Sequence, residues 1–458
     1  MKKFVLVSLV LLLVIIASLP IVGNRFMQQY TDDAVAVLAQ QGLKLKTVKT
    51  NSSYLHTTKH FEFIVENSDA FATYLNTHTA NKVPLNAASG LNGTVVGADL
   101  RYSNLPFAKS MTLDIYPIEL SKEMQNELKT EDIAFYKKFT AFLHDKGILY
   151  HVEYNLINDK FSSYLQDIHQ KYHLHNGSDV SVDVVGWHLD GKNVITDVLL
   201  KSRVKLIAID ANQTNSAARF YVKDFRSSQN MHSLSSYKSA LSLKKLDMFI
   251  EGTGNDVNLS LEDFATASKA YEKKEHVTME STTKLAAIAV NVGRLRFHAK
   301  NFQNSVTLKD LDKEALAHLS AIATQGKNMQ MLAQQQAFQK AMMELLSKGF
   351  VLNISKLSLE KLVLNTKENL GGFTIAMDLA VKKDADLATK MQKSPLMLLA
   401  NVKLESSIDV AQRLYEKLLQ NSPMAQSIDS YAKKVGENVH FDVEFTNTKL
   451  YVNKKAIQ

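Results

Sequence analysis

His173-Leu-His175 is the histidine pair whose spacing comes closest to a metal site, because a strand through Leu174 would project both rings on one face. Asp167, His169 and Asp179 are the nearest further ligands. However, Tyr172 to Asn176 reads as a helix end running into an Asn176-Gly177 turn, which makes the pair a solvated helix terminus and not a metal centre. His56 and His60 would sit one turn apart on a helix, yet Phe61, Phe63 and Val65 beyond them argue for a strand. Serines are plentiful, but there is no Gly-x-Ser-x-Gly elbow and no Ser/His/Asp order. Gly93-Thr-Val and Gly254-Asn-Asp lack the glycine-rich lysine cradle that holds phosphates and read as turns. Glu262 and Asp263 fit a helix N-terminus better than an acid/base pair. Trp187, the only tryptophan, follows Gly186 at a strand end and reads as core or sheet-edge packing. The expectation is a non-catalytic protein with no catalytic residues, no metal and no cofactor.

The elements around these residues begin with a charge-free block of twenty residues from Phe4 to Gly23, between Lys2-Lys3 and Arg25. One helix of that length spans the ~30 Å hydrocarbon core of a bilayer. The block is longer than the apolar part of a cleaved signal and has no small-x-small site, so the sequence predicts a retained anchor. Two lysines before it against one arginine after it leave the tip in the cytoplasm and the bulk of the chain outside. The absence of cysteine rules out disulfides and thiolate chemistry and suits an oxidising compartment. The net charge of +8 comes from scattered lysines, with arginine at only eight positions, so nucleic acid is not an expected partner.

Residues 26–43 read as a loosely amphipathic stalk helix. From Lys44 the dominant signal is period two: Met111, Leu113, Ile115; Val180, Val182, Val184; Val257, Leu259, Leu261; Phe373, Ile375, Met377. Turns are expected at Asn92-Gly93, Asp190-Gly191, Thr253 to Asn255 and Gly371-Gly372. Helical insertions are expected over Ser121 to Asp145, over Asp310 to Lys348 with a break at Gly326, and over Asp409 to Val435 with a break at Ser422-Pro423. The fold class is thus α+β and β-rich: an N-terminal transmembrane helix, then long antiparallel meandering sheets with helical insertions. The expected divisions are an anchor (1–25), a stalk (26–43), a β-rich domain (44–300) and an α+β region closing in a hairpin (301–458).

One stretch carries a family resemblance. Gly293-Arg-Leu-Arg-Phe-His leads to Leu308-Lys-Asp-Leu311 and to a helix ending Met342-Met-Glu-Leu-Leu346-Ser-Lys-Gly349. Val351-Leu-Asn-Ile-Ser-Lys-Leu357-Ser-Leu359 and Gly371-Gly-Phe-Thr-Ile-Ala-Met-Asp-Leu379 follow. This order resembles the bacterial DUF945 family, the YdgA-like proteins, which share an N-terminal membrane segment and a closing β-hairpin. The family's His-Gly-Pro-Phe stretch is reduced here to Asn104-Leu105-Pro106-Phe107. The resemblance implies an inner-membrane-anchored protein of a Gram-negative bacterium facing the periplasm. It carries no catalytic residue to this chain.

The functional expectation is a single-pass protein of the inner membrane, held by residues 4–23, whose sheet binds lipid or another apolar ligand. Ile148, Tyr150, Val152, Phe373, Ile375 and Met377 are the candidate apolar-face residues. The alternative is a structural or assembly factor that docks on other envelope proteins and needs no groove.

Overall fold

Alternating apolar and polar residues make strands of 60% of the chain in the computed structural model. The structure describes residues 27–457 apart from 30, 34, 79–88, 106–109, 176, 194–197, 214–215, 234, 253–255, 294, 326–330, 366–367, 422–425 and 427. Phe4 to Gly23 and the Thr253 to Asn255 turn lie outside the described residues, as do Ser422-Pro423 and Pro106-Phe107. Among the described residues no helix is long and apolar enough to cross a membrane. The chain divides into two compact units, residues 1–194 with 202–214, and residues 195–201 with 215–458.

The first unit opens with helical residues 27–29, 31–33 and 35–40 (α1), followed by β1 (Leu43–Ser52), β2 (His56–Val65), α2 (Ser68–His78), β3 (Val95–Ser103) and β4 (Ser110–Glu119). It continues with α3 (Lys122–Glu131), α4 (Ile133–His144), β5 (Tyr150–Asn155), β6 (Lys160–Leu165), β7 (Ile168–His173), β8 (Asp179–Val185), β9 (Trp187–Lys192) and β10 (Val198–Gln213). β1 to β6 pair in sequence as antiparallel neighbours. β6 and β7 together form one long arm against β8 and β9, with Leu165 opposite Trp187 and Ile168 opposite Val184. At the joint the Gly186 N–H donates to Asp167 Oδ1 at 2.8 Å, and Gly186 has φ +64°. Period two alone could not show this joint.

The expected stalk is not a free helix. Met27, Val35 and Leu38 of α1 pack into the core formed by Phe61, Phe63, Val65, Ala98, Leu100 and Tyr102. The buried Lys59 ammonium donates to Thr31 Oγ1 at 2.8 Å and pairs with Asp32. The single helix expected over Ser121 to Asp145 is two, because Asp132 ends α3 and caps α4 through the N–H groups of Ala134 and Phe135. Asp190-Gly191 lies inside β9 and not at a turn, and Asn193 after the strand takes φ +54°.

The second unit is a meander of long strands: β11 (Ser216–Ser233), β12 (Ser236–Glu251), β13 (Val257–Lys273), β14 (His276–Val292) and β15 (Leu295–Asp312). The boundary expected at residue 300 therefore falls within a strand. Next come α5 (Lys313–Gln325), α6 (Met331–Lys348), β16 (Phe350–Leu359), β17 (Lys361–Leu364), β18 (Phe373–Val381), α7 (Leu387–Lys393) and β19 (Val402–Ala411). The chain closes with α8 (Gln412–Asn421), β20 (Lys433–Val435), β21 (Asn438–Thr446), β22 (Lys449–Val452) and β23 (Lys455–Ile457). The helix expected from Asp310 starts only after Asp312, and the stretch expected to be helical from Asp409 begins as the end of β19 and finishes as β20. Helices α5 and α6 cover one end of the sheet, where Ala315, Leu316, Leu319 and Leu345 meet Ala270, Met279 and Leu308. α8 covers another region, where Leu414, Tyr415 and Leu419 meet Phe373, Val410, Val439 and Phe441.

Candidate functional site

The long strands of the second unit carry a step in their alternation at one register level. Apolar side chains recur at every second residue, skip to the third once, and then resume at every second residue. The skip runs from Val222 to Phe225 in β11, Leu243 to Leu246 in β12, Leu261 to Phe264 in β13, Leu285 to Ile288 in β14 and Ala299 to Phe302 in β15. Pairing keeps one register on both sides of it, as Lys223 with Lys245 and Arg226 with Ser242 show for β11 and β12. Both strands of each pair therefore take the step together. Alternate strands place Asp224, Asp263 and Asn301 there in the left-handed backbone region, at φ +50°, +48° and +53°. Asp and Asn tolerate that conformation better than other non-glycine residues, and a left-handed residue within a strand bends it. The result is a crease running across the sheet. Glu262 and Asp263, expected at a helix start, lie within β13 at this crease.

Register then assembles rows across the strands. Phe220, Met248, Leu259, Val290, Phe297 and Leu364 are successive directly opposed partners. Val222, Leu246, Leu261, Ile288, Ala299 and Leu362 form the neighbouring row, and Ala218, Ile250, Val257 and Val292 the outer one. Beyond the crease lie Phe225, Leu243, Phe264, Leu285 and Phe302. None of these rows contains a charged residue. Alternation places Arg219, Asp247, Lys269, Glu280, Lys284 and Arg296 on the opposite face. Burial is deepest beside the crease, where Val222, Leu243 and Ala299 are 9%, 8% and 5% exposed. It falls away from the crease, to 38% exposed at Phe220, 41% at Val292 and 47% at Ile250. Apolar rows that pack beside a bend and become exposed outward form a half-open apolar trough.

The structure divides the residues expected on the apolar face between the two units. Tyr150 and Val152 lie in β5 of the first unit, where Val152 opposes Leu113 and the Tyr150 hydroxyl meets Ser163 Oγ at 2.8 Å. Ile148 precedes that strand and is not part of it. Phe373 is packed under α8 as part of a core. Ile375 and Met377 are half-buried on the trough side, opposite Leu357 and Ile354, further along the meander. The creased rows of β11 to β15 were missed because a skip of three looks like the end of a strand when one strand is read alone.

The histidines fall elsewhere. His173 ends a strand and not a helix, and its Nδ1 is 2.7 Å from Asp179 Oδ1. The His175 backbone N–H donates to Asp132. Among the described residues no group of three or more His, Cys, Asp or Glu could hold a metal ion. In the first unit His60, Asp99, Asp114, His151, Tyr164 and His188 form one transverse row of opposed residues. His60 Nδ1 lies 2.6 Å from Asp99 Oδ1, and Lys146 Nζ donates to Asp99 Oδ2 at 2.6 Å. Partial burial pushes the Asp99 carboxyl up, but the hydrogen bonds from Lys146, His60 and Tyr116 outweigh it and hold the group below its ordinary range. Further along the row His151 Nδ1 lies 2.5 Å from Asp114 Oδ1, and the His188 Nδ1 is buried without a hydrogen-bond partner. Trp187 is partly exposed in β9 opposite Leu165.

Fold and site together define a β-rich protein whose long antiparallel strands are creased at one level and carry uncharged apolar rows on one face. The chain belongs to the DUF945 family, described as bacterial protein of unknown function, whose family model matches residues 170–455. No curated protein and no solved structure matches it.

Proposed function

We propose that this is a non-catalytic envelope protein that binds lipid in the creased trough of its second unit. In this reading Phe4 to Gly23 anchors it in the inner membrane with the body in the periplasm. The observation that carries the reading is the trough itself: apolar rows without charge across five strands, with exposure increasing away from the crease. Burying apolar surface contributes about 25 cal/mol per Å², so acyl chains laid along such rows gain several kcal/mol. The test is to purify the full chain from membranes and identify the copurifying lipid, beside the variant Leu259→Glu. That variant places a carboxylate in the middle of the face, where a half-open trough leaves it wet, and is expected to fold and to lose the lipid. Folded Leu259→Glu protein carrying as much lipid as wild type would rule the trough out.

A second reading, docking on another envelope protein, is favoured by one observation. Leu396, Met397 and Leu399, in the short 3-10 helix Pro395–Asn401 after α7, are all exposed. Three neighbouring large apolar side chains in solvent are a familiar anchor for a protein partner. Replacing all three by serine should leave lipid content unchanged and remove a partner captured by cross-linking, if that reading holds.

A further inference from the structure

Beyond the crease the inner face changes character before it reaches the helices. The row after Phe225, Leu243 and Phe264 runs Ser227, Leu241, Thr266, Thr283, Asn304. The next runs Gln229, Ser239, Ser268, Ser281, Val306. The row after that, Met231, Tyr237, Ala270, Met279, Leu308, is apolar again, and its last four members pack with α5 and α6. Two rows made mostly of hydroxyls and amides, and free of charged residues, thus sit between apolar rows, with the Glu272–Lys313 ion pair lying beyond them at the start of α5. Thr266 and Thr283 hydroxyls lie 3.1 Å apart, and those of Ser268 and Ser281 lie 2.9 Å apart. Each hydroxyl has a donor and two acceptor positions, so a pair that is satisfied internally can still hydrogen-bond a ligand.

We infer that this band recognises the uncharged polar linkage of the lipid, its ester carbonyls and glycerol hydroxyl, while the acyl chains lie across the crease on the apolar rows. The inference rests on the lipid-binding reading and names the class of lipid: a neutral acylglycerol. Charge complementarity decides between neutral and anionic lipid. A phosphate at this band would meet no lysine or arginine in its rows, whereas anionic groups bound by proteins ordinarily find one. An ester or hydroxyl meets donors at the spacing of adjacent strands, about 4.8 Å. An unpaired carbonyl in a purely apolar trough would lose its hydrogen bonds to water without replacement, and the band prevents that.

The test uses the full chain in a sugar detergent, with bound probe counted by native mass spectrometry. The probes are 1,2-dioctanoylglycerol and 1,2-dioctanoylphosphatidate, which have the same chains and differ in the phosphate. Wild type should bind the glyceride about tenfold more tightly than the phosphatidate. In the variant Thr266→Val, Ser268→Ala, Ser281→Ala, Thr283→Val, each hydroxyl pair is replaced on both sides by groups of similar shape, which leaves no orphaned partner. Glyceride binding should fall about tenfold there and the preference should vanish. The single changes Thr266→Val and Ser281→Ala, each expected to reduce the preference in part, serve if the fourfold variant does not fold. Equal binding of the two probes by wild type, a preference for the phosphatidate, or an unchanged preference in the variants would overturn the band while leaving the trough standing. Failure of both probes to bind wild type, or glyceride binding that survives in folded Leu259→Glu, would remove the trough and the band together.

Discussion

Lys244 of β12 and Asp263 of β13 form an ion pair, with Nζ 2.8 Å from Oδ1, at the level where both strands take their irregular step. The Asp263 hydrogen bond and charge hold the Lys244 ammonium above its ordinary pKa. Both side chains are largely exposed, so the pair contributes little to stability. Its informative part is the Asp263 backbone, at φ +48° in the interior of a strand.

That backbone makes the first prediction. Asp263→Gly should fold with stability equal to or above wild type, because glycine enters the left-handed region without strain. Asp263→Val should lose about 1–3 kcal/mol, since a β-branched residue there is a true outlier. Urea unfolding of the two variants decides it, and equal midpoints would mean that the crease does not depend on this residue's conformation.

His440 makes a pH prediction. Its Nδ1 is 2.9 Å from Asp409 Oδ1 and its Nε2 3.1 Å from Asp442 Oδ1. The Asp409 hydrogen bond raises its pKa, burial lowers it, Asp442 raises it further, and the net direction is up. A folded pKa above the unfolded value of about 6.5 means that the stabilisation is complete below that pH and is lost as pH rises through the folded value. His440→Gln should therefore flatten the loss of stability that wild type shows between mildly acidic and mildly alkaline pH. Parallel pH profiles for the two proteins, read by urea unfolding, would contradict it.

Tyr172 makes a third. Its ring meets Phe135 edge to face at 4.7 Å, and its buried hydroxyl has no hydrogen-bond partner. Tyr172→Phe keeps the ring contact and removes the unpaired group, so it should raise stability by about 1 kcal/mol. A drop in the thermal midpoint would show that the hydroxyl has a partner after all.

The anchor makes a fourth. Full-length protein should stay in the membrane pellet in high salt, because burial of the Phe4 to Gly23 block is not screened by ions. Chain beginning at Met27 should be released and remain folded, since Met27 already belongs to the packed core of the first unit. Salt release of the full-length protein would mean that the apolar block does not hold it.

Sequence alone determined that the chain is β-rich and where several of its strands lie, because the in-and-out alternation of a strand is a property of the backbone and can be read locally, as at Val257 to Leu261 and Phe373 to Val381. It also carried the family likeness, from Gly293 to Leu379. It could not show that Glu262-Asp263 bends a strand and does not open a helix, because two polar residues between apolar ones look alike in either case. Their meaning came from register: Val222, Leu243, Leu261, Leu285 and Ala299 each skip to the third residue at one level, and only pairing shows that the levels coincide. The row from His60 to His188 was hidden for the same reason. Its members are spread over six strands, and hydrogen bonds between strands decide which of them stand opposite one another. Strand character is local and survives in the order of residues, whereas a face shared by many strands exists only once the tertiary structure has set each strand against the next.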